Sequence, residues 1–211
     1  MFKKIFNLSN KKSNTLITID RQYGSKGDLI AQKLATRLEA EYFDENIIEL
    51  KTLETQVDLS SVSKDDSFLK GTVYDLYREN DSYSEEDMMI SDARFLAEAK
   101  TIRDIAKSRN AIILGKCAGY VLRDYKPLNI FIAADFEDRV KNIMDQMSYD
   151  EERATSKIKK MDMRRINHYE RFTKGNFGQA SEYDFTINTS KFSVDEIVNI
   201  IISLKNNYQI D

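Results

Sequence analysis

The chain has 211 residues, of which 41% are hydrophobic and 32% charged, with a formal net charge of −3, so it can bury a core and gives no global reason to expect nucleic-acid binding. Seven glycines and one proline, against roughly 25 of the two types at average usage, disfavour all-β folds made of many Gly- and Pro-rich turns and also collagen-like or linker-rich chains. One cysteine, Cys117, and one histidine, His168, exclude an internal disulfide framework and a Cys-based zinc site and fit a reducing cytoplasm, and no run of about 18 apolar residues offers a membrane span.

Residues 1–14 read as a flexible basic tail, without the long apolar stretch and small-residue cleavage site of a secretory signal. Thr15-Leu-Ile-Thr-Ile-Asp20 is a β-branched run that predicts a buried strand ending at a polar, glycine-containing turn, Arg21 to Gly27. Ile30, Leu34 and Leu38, with Ala31 and Ala35 beside them, recur at helical spacing, so a helix opens within a residue or two of Gly27. Glu41-Tyr-Phe43 predicts a short second strand, followed by a helix through Ile47, Ile48 and Leu50. Residues 55–83 are acidic and weakly periodic, with a helical piece near Val73 to Tyr77. Ser84-Glu-Glu-Asp87 has the spacing of a capping box and predicts a long helix to about Lys107, with Ile90, Ala93, Leu96, Ala97, Ile102 and Ile105 inward.

Ala111-Ile-Ile-Leu114 and Asn129-Ile-Phe-Ile-Ala133 predict two more buried strands. Asp135 caps a helix with Phe136, Val140, Ile143, Met144 and Met147 on its apolar side. A basic helix follows from about Asp150 to Tyr169, then a last strand from Tyr183 to Asn188 and a helix opened by Ser193 and Glu196. Near-continuous apolar strands separated by helices imply a parallel sheet covered on both faces, an α/β doubly wound architecture of about five strands. In such a sheet ligands bind outside the carboxyl ends of the strands.

Six of the seven glycines fall in close pairs: Gly24 with Gly27, Gly115 with Gly119, and Gly175 with Gly178. The first two pairs follow predicted strands, at the expected ligand edge. Charge is also segregated. Residues 41–100 carry 16 acidic and 6 basic side chains, whereas residues 153–174 carry 8 basic and 2 acidic. A basic segment in an acidic chain points to a local anionic ligand or to a solvated helix face. The 11 tyrosines and 11 phenylalanines form no regularly spaced stacking platform for single-stranded nucleic acid.

The segments Ile17 to Ala31, Tyr42 to Ile48, Ile113-Leu-Gly-Lys-Cys117 and Tyr183 to Ser190, in this order, resemble the cytidylate kinase-like family of P-loop proteins over nearly the whole chain. The resemblance implies one nucleoside-monophosphate-kinase-like domain over residues 15–211, with a helical substrate-side insertion at about 44–108 and a basic lid at about 150–180. It implies ATP and Mg²⁺ as cofactors and phosphoryl transfer to a nucleoside monophosphate or similar small acceptor. Nucleic acid and membrane are not implied as partners, and the oligomeric state is open.

A glycine turn opening a helix presents N–H groups and the positive helix end to phosphate. Arg21, Gly24, Ser25, Lys26, Gly27, Asp28 and Leu29 are the candidate cradle. The loop departs from the pattern G-x-x-x-x-G-K-[ST]: aligned on Gly24, Arg21 replaces the first glycine, Lys26 the later glycine, Gly27 the lysine and Asp28 the hydroxyl. Lys26 or Arg21 reaches the phosphates from a shifted backbone, Asp28 holds Mg²⁺ directly or through water, or the loop binds nucleotide without transfer. A tight turn with no ligand is the remaining reading.

The family's D-x-x-R lid pattern is matched by Asp162 and Arg165, and Lys157, Lys160 and Arg164 share the same predicted helix, so Lys160 and Arg165 are catalytic candidates with Lys26. Asp44 is either a substrate-side acid, orienting the acceptor or acting as a base, or the N-cap of the following helix. Lys116 and Cys117 stand where the family offers an Arg and, in cytidylate kinases proper, an acidic residue. They join Arg123, Asp162 and Arg164 on the substrate side, with Arg139 a further phosphate contact, and His168 reads as structural beside Tyr169 and Phe172. Two other readings of the chain are a non-catalytic nucleotide sensor on the same fold and a protein-interaction module using its acidic region.

Overall fold

The computed structural model describes residues 15–55, 90–108 and 110–207. The expectations for the tail at 1–14, the helical piece near Val73 and the capping start at Ser84 lie outside them. Five strands, β1 (Leu16–Arg21), β2 (Glu41–Phe43), β3 (Ala111–Leu114), β4 (Leu128–Ala133) and β5 (Phe185–Asn188), form one sheet in the order β2-β3-β1-β4-β5. All pairs are parallel, with Ile19 of β1 opposite Leu114 of β3 and Ile130 of β4. The helices are α1 (Gly27–Leu38), α2 (Glu45–Glu54), α3 (Ile90–Ser108), a single turn α4 (Ala118–Val121), α5 (Phe136–Met147), α6 (Glu151–Thr173) and α7 (Val194–Asn207). The α/β doubly wound class predicted from the strand runs is what the chain adopts.

Strand alternation assigns the two faces. Ile17, Ile19, Ile112, Leu114, Ile130 and Ile132 point to one side, where Ile30, Ala31 and Leu34 of α1 and Ile197 and Ile201 of α7 cover them. Leu16, Ile113 and Phe43 point to the other, under Ile48 of α2, Phe95, Leu96 and Ile102 of α3, and Tyr169 and Phe172 of α6. Thr18 and Asp20 share the register of Leu16, so Asp20 is delivered to the α3 and α6 side at the carboxyl end of β1. Leu34 is fully buried, and such a side chain contributes about 1.5–3 kcal/mol from area alone.

Helix boundaries follow local chemistry. Ser193 and Glu196 open α7 as predicted, and they do so as a capping box: the Ser193 N–H donates to Glu196 Oε2 at 2.8 Å and the Glu196 N–H to Ser193 Oγ at 3.3 Å. Asp150 caps α6 through the Arg153 N–H. That helix runs to Thr173, past the predicted Tyr169, and stops at Lys174, whose φ of 58° is left-handed. Asp135 precedes α5 but makes no side-chain cap bond. Its carboxylate instead accepts from Asn188 Nδ2 at 2.7 Å and from Lys191, joining the ends of β4 and β5. Tyr183 lies before β5 and is buried with its hydroxyl towards Asp20.

Candidate functional site

The turn between β1 and α1 is fixed from three directions. Ser25 is buried and its hydroxyl donates to the Gln22 carbonyl at 2.8 Å, while Asn142 of α5 donates to the Gly24 carbonyl at 2.9 Å and Thr189, beyond β5, to the Ser25 carbonyl at 3.0 Å. Gly24 has φ of 83°, and a Cβ there would stand 2.9 Å from the Arg139 carbonyl oxygen. At Gly27 a Cβ would stand 2.7 Å from Arg21 Cβ, so both glycines are needed. Lys26 occupies the N-cap of α1 with φ of 62° and an exposed side chain. The loop already receives one oxyanion of its own chain: the Tyr23 N–H donates to Asp162 Oδ1 at 2.7 Å.

Arg21 passes beneath Gly27 and is buried. Its Nε donates to Asp28 Oδ1 at 3.0 Å and its Nη1 to Glu45 Oε1 at 2.8 Å, tying the first turns of α1 and α2 together. Burial opposes its charge, but Asp28 and Glu45 outweigh burial and hold its pKa above the ordinary value. Glu45 is the converse case: burial works against the carboxylate, yet Arg21 and Arg165 hold its pKa below the usual range.

Next to Arg21 opens a cavity of about 660 Å³ at the carboxyl ends of β1 and β3. Its floor is Asp20, Arg21 and Gly115-Lys116-Cys117; α2 and α3 form one wall and α6 the other. Arg165 of α6 donates from Nη1 to the Arg21 carbonyl oxygen at 3.0 Å and lies 5.5 Å from the centroid of the Tyr23 ring. Burial and the neighbouring Arg21 depress its pKa against the opposing pull of Glu45, Asp28 and Asp162, so the two guanidinium groups share their carboxylate partners. Arg164 lines the same wall and is exposed.

The opposite wall is a charged chain. Glu98, 3% exposed, accepts from Lys116 Nζ at 2.7 Å and from Arg94 Nε at 3.0 Å, and Arg94 also pairs with Glu49. Asp20 is buried beside them, and burial raises its pKa to about 6. The Tyr183 hydroxyl faces its Oδ2 at 3.4 Å. Burial pushes the Cys117 thiol up, which makes it an inert floor group. His168 is packed edge-on to Phe172 and Phe95, with ring centroids 4.9 and 6.1 Å away, and burial lowers its pKa.

Thus Arg21, Lys116, Cys117, Arg164 and Arg165 meet at one cavity, while Gly24, Ser25, Lys26, Gly27, Asp28 and Leu29 form the adjoining turn and first helical turn. Asp162 does not line the cavity. It pins the turn to α6, accepting from Tyr23 N and from Arg139, which also donates to the Tyr23 carbonyl. Lys160 is exposed and, with Arg153 and Lys157, lines a separate surface cleft of about 410 Å³. Asp44 is the N-cap of α2, accepting from Asn46 N at 3.0 Å and Ile47 N at 2.9 Å. Arg123 stacks on the Tyr120 ring at 4.2 Å, away from the cavity. Asp20, Glu45, Arg94 and Glu98 were not singled out by sequence. A carboxyl closing an apolar buried strand, and one at helical spacing between Phe95 and Ile102, were the signals for Asp20 and Glu98.

The turn fits a polyphosphate, because residues 22–27 present backbone without Cβ atoms at Gly24 and Gly27 and one N–H already bonds a carboxylate. Asp28 Oδ1 accepts from the Arg21 guanidinium, and the rest of its side chain is exposed beside the turn. Among the described residues no group of three or more His, Cys, Asp or Glu side chains is placed to hold a metal ion, and no helix is long and apolar enough to cross a membrane.

Cytidylate kinase of Saccharolobus islandicus (strain L.S.2.15 / Lassen #1) is 33% identical over 113 residues, 51% of this chain and 57% of that protein. Cytidylate kinase of Halobacterium salinarum is 22% identical over 111 residues, 52% of this chain and 58% of that protein. The chain therefore spans somewhat over half the length of the curated relatives it matches. Among solved structures, an uncharacterized protein from Eubacterium ventriosum superposes with a TM-score of 0.71 at 21% identity, covering 92% of this chain and 99% of that one. Shikimate kinase from Bacteroides thetaiotaomicron superposes at 0.50 with 10% identity, covering 91% of this chain and 98% of that one, a likeness of fold. Residues 16–191 match the cytidylate kinase-like family, and the chain belongs to it.

Proposed function

We propose that the protein transfers the γ-phosphoryl group of ATP to a nucleoside monophosphate or similar small acceptor. The observation that carries this reading is the meeting of Arg21 and Arg165 between the glycine turn and the cavity, with the Arg165 to Arg21 carbonyl bond at 3.0 Å. Phosphoryl transfer is chiefly positioning and charge neutralisation, and two desolvated guanidinium groups at the junction of two ligand sites supply both.

On this reading the backbone N–H groups of Gly24, Lys26 and Gly27 hold the phosphates of ATP, beside the Lys26 side chain, while those of Gln22, Tyr23 and Ser25 are bonded within the protein. When bound, ATP supplies the transferred group, and Mg²⁺ enters on its phosphates rather than on a protein cage, as that ion commonly does. Arg165 and Arg164 neutralise charge from the α6 side. Lys116 is held by Glu98 so that its ammonium faces the acceptor. The acceptor fills the 660 Å³ cavity, with α2 and α3 as its substrate-side wall and α6 as a lid. Lys160, Asp44 and Arg123 are left with structural or surface roles.

A second reading, a nucleotide sensor without turnover, is favoured by one feature: Lys26 is the exposed N-cap of α1 and does not line the cavity. ADP release from MgATP over a panel of acceptors, beside ATP binding measured calorimetrically, separates the two. Binding with turnover supports transfer, and binding without turnover on any acceptor supports the sensor.

A further inference from the structure

The cavity has two chemically different ends. Beside the glycine turn lie Arg21 and Arg165, guanidinium groups suited to phosphate. At the α3 end the lining is aromatic: Phe95 stacks on Phe172 with ring centroids 4.1 Å apart, and His168 packs edge-on to both. A nucleoside monophosphate matches that polarity, with its phosphate towards the cations and its base towards the aromatic wall.

Glu98 stands in the aromatic end, three residues after Phe95 on the same face of α3, and is 3% exposed. Arg94 Nε at 3.0 Å and Lys116 Nζ at 2.7 Å both donate to its Oε1, which fixes the side chain. Its Oε2 takes no hydrogen bond among the described residues. A buried oxygen without a donor is unfavourable, and an ionised carboxyl can only accept, so a ligand that fits this wall brings an N–H. The other carboxyls of the cavity are placed differently. Glu45 is on Arg21 at the turn, Glu49 is half-exposed on Arg94, and Asp20 faces the Tyr183 hydroxyl.

We propose that Glu98 selects the acceptor by its base, Oε2 accepting from an amino group while the Arg94 guanidinium donates to the ring nitrogen next to it. This rests on the placement of the acceptor in this cavity and names its class: nucleoside monophosphates whose base carries an amino group beside an unprotonated ring nitrogen, as cytosine and adenine do. Uracil and hypoxanthine have the same outlines but carry a carbonyl oxygen and a ring N–H at those positions. Against this wall both are reversed, with lone pairs facing Oε2 and an N–H facing the guanidinium.

The test uses the full chain and two isosteric pairs, CMP with UMP and AMP with IMP. Binding is read by titration calorimetry, and products from MgATP by phosphorus NMR. In at least one pair the amino member is expected to bind about 10-fold or more tightly than its keto partner; preference within the first pair identifies a pyrimidine acceptor and within the second a purine. Glu98→Gln keeps the shape but puts an NH₂ donor in place of one oxygen, and is expected to bring that ratio to within about threefold of unity. A merely structural Glu98 would weaken both members alike and leave the ratio where it was. Arg94→Gln, at the half-exposed partner, is expected to lower the same ratio, and ADP binding at the turn reports that each variant is folded. Equal binding within both pairs, preference for the keto members, or a ratio unchanged in either folded variant overturns the proposal, whether or not ADP is released. Base-selective binding that both variants abolish, with no ADP released from MgATP on any of the four acceptors, supports Glu98 as the selecting residue and overturns the transfer reading instead.

Discussion

Arg165 Nη1 donates to the backbone carbonyl oxygen of Arg21 at 3.0 Å, so the basic helix α6 is seated on the glycine turn by one of the side chains that also charges the cavity. Arg165→Ala removes a charged hydrogen bond and a desolvated cation together. ATP affinity is expected to fall about 10- to 100-fold, on the scale of 1.5–3 kcal/mol for hydrogen bonds to charged groups. Arg165→Lys restores charge without the guanidinium fork and is expected to recover less than half of the lost free energy. Titration calorimetry with ADP reads both.

Gly27→Ala places a methyl group 2.7 Å from Arg21 Cβ and 2.8 Å from its Cγ. Arg21 is fixed by Asp28 and Glu45 and has little room to yield. A stability loss of about 1–3 kcal/mol is expected from overpacking, measured as the midpoint of denaturant unfolding, together with weaker ADP binding because the turn is displaced.

Asp20 gives stability a pH dependence with a definite sign. Its folded pKa, about 6, lies above the ordinary aspartate value of 3.8, so the folded chain binds the proton more tightly. The stability this confers is complete below about pH 4 and is lost as pH rises through about 6. Asp20→Asn removes that loss. The stability of the variant relative to the parent is expected to grow by about 2 kcal/mol between pH 4 and 7, followed by chemical unfolding at a series of pH values. A flat difference across that range contradicts the burial of an ionisable carboxyl.

Glu98 is 3% exposed and its partner Lys116 14%. Glu98→Ala strands the Lys116 ammonium in the cavity wall and is expected to cost about 3–5 kcal/mol. Lys116→Met in the same background is expected to return part of that, since the isolated charge and not the missing bond carries the penalty. The unfolding free energies of the two single variants and the double variant test this as a cycle.

The sheet was legible because its strands are rich in β-branched apolar residues: Ile17, Ile19, Ile112 and Ile130 are all fully or nearly fully buried. The glycine turn was legible because glycines are scarce. The basic helix was legible as a helix but not as an oriented one. Ala154 and Ile158 seat its first half on α5, whereas Tyr169 and Phe172 seat its second half under α3. The few apolar side chains of a polar helix do not reveal that Arg164 and Arg165 turn to the cavity while Lys160 turns to the surface. Asp44 illustrates a different limit, since capping and catalysis ask for the same residue after a strand, and only the bonds to Asn46 and Ile47 assign the cap. The Arg21 to Glu45 pair, 24 residues apart, exists because β1 and β2 flank β3, a topological fact that local patterns do not carry.

On the proposed function, this cavity and turn transfer a phosphoryl group. The measurement that tests it most directly is ADP formation from MgATP over nucleoside monophosphates, nucleosides and small hydroxyl compounds, comparing the parent chain with Arg165→Ala at saturating nucleotide. Acceptor-dependent ADP release is expected in the parent, with a loss of at least 10-fold in the variant. ATP bound by the parent with no acceptor-dependent ADP release, or release unchanged in Arg165→Ala, would contradict it.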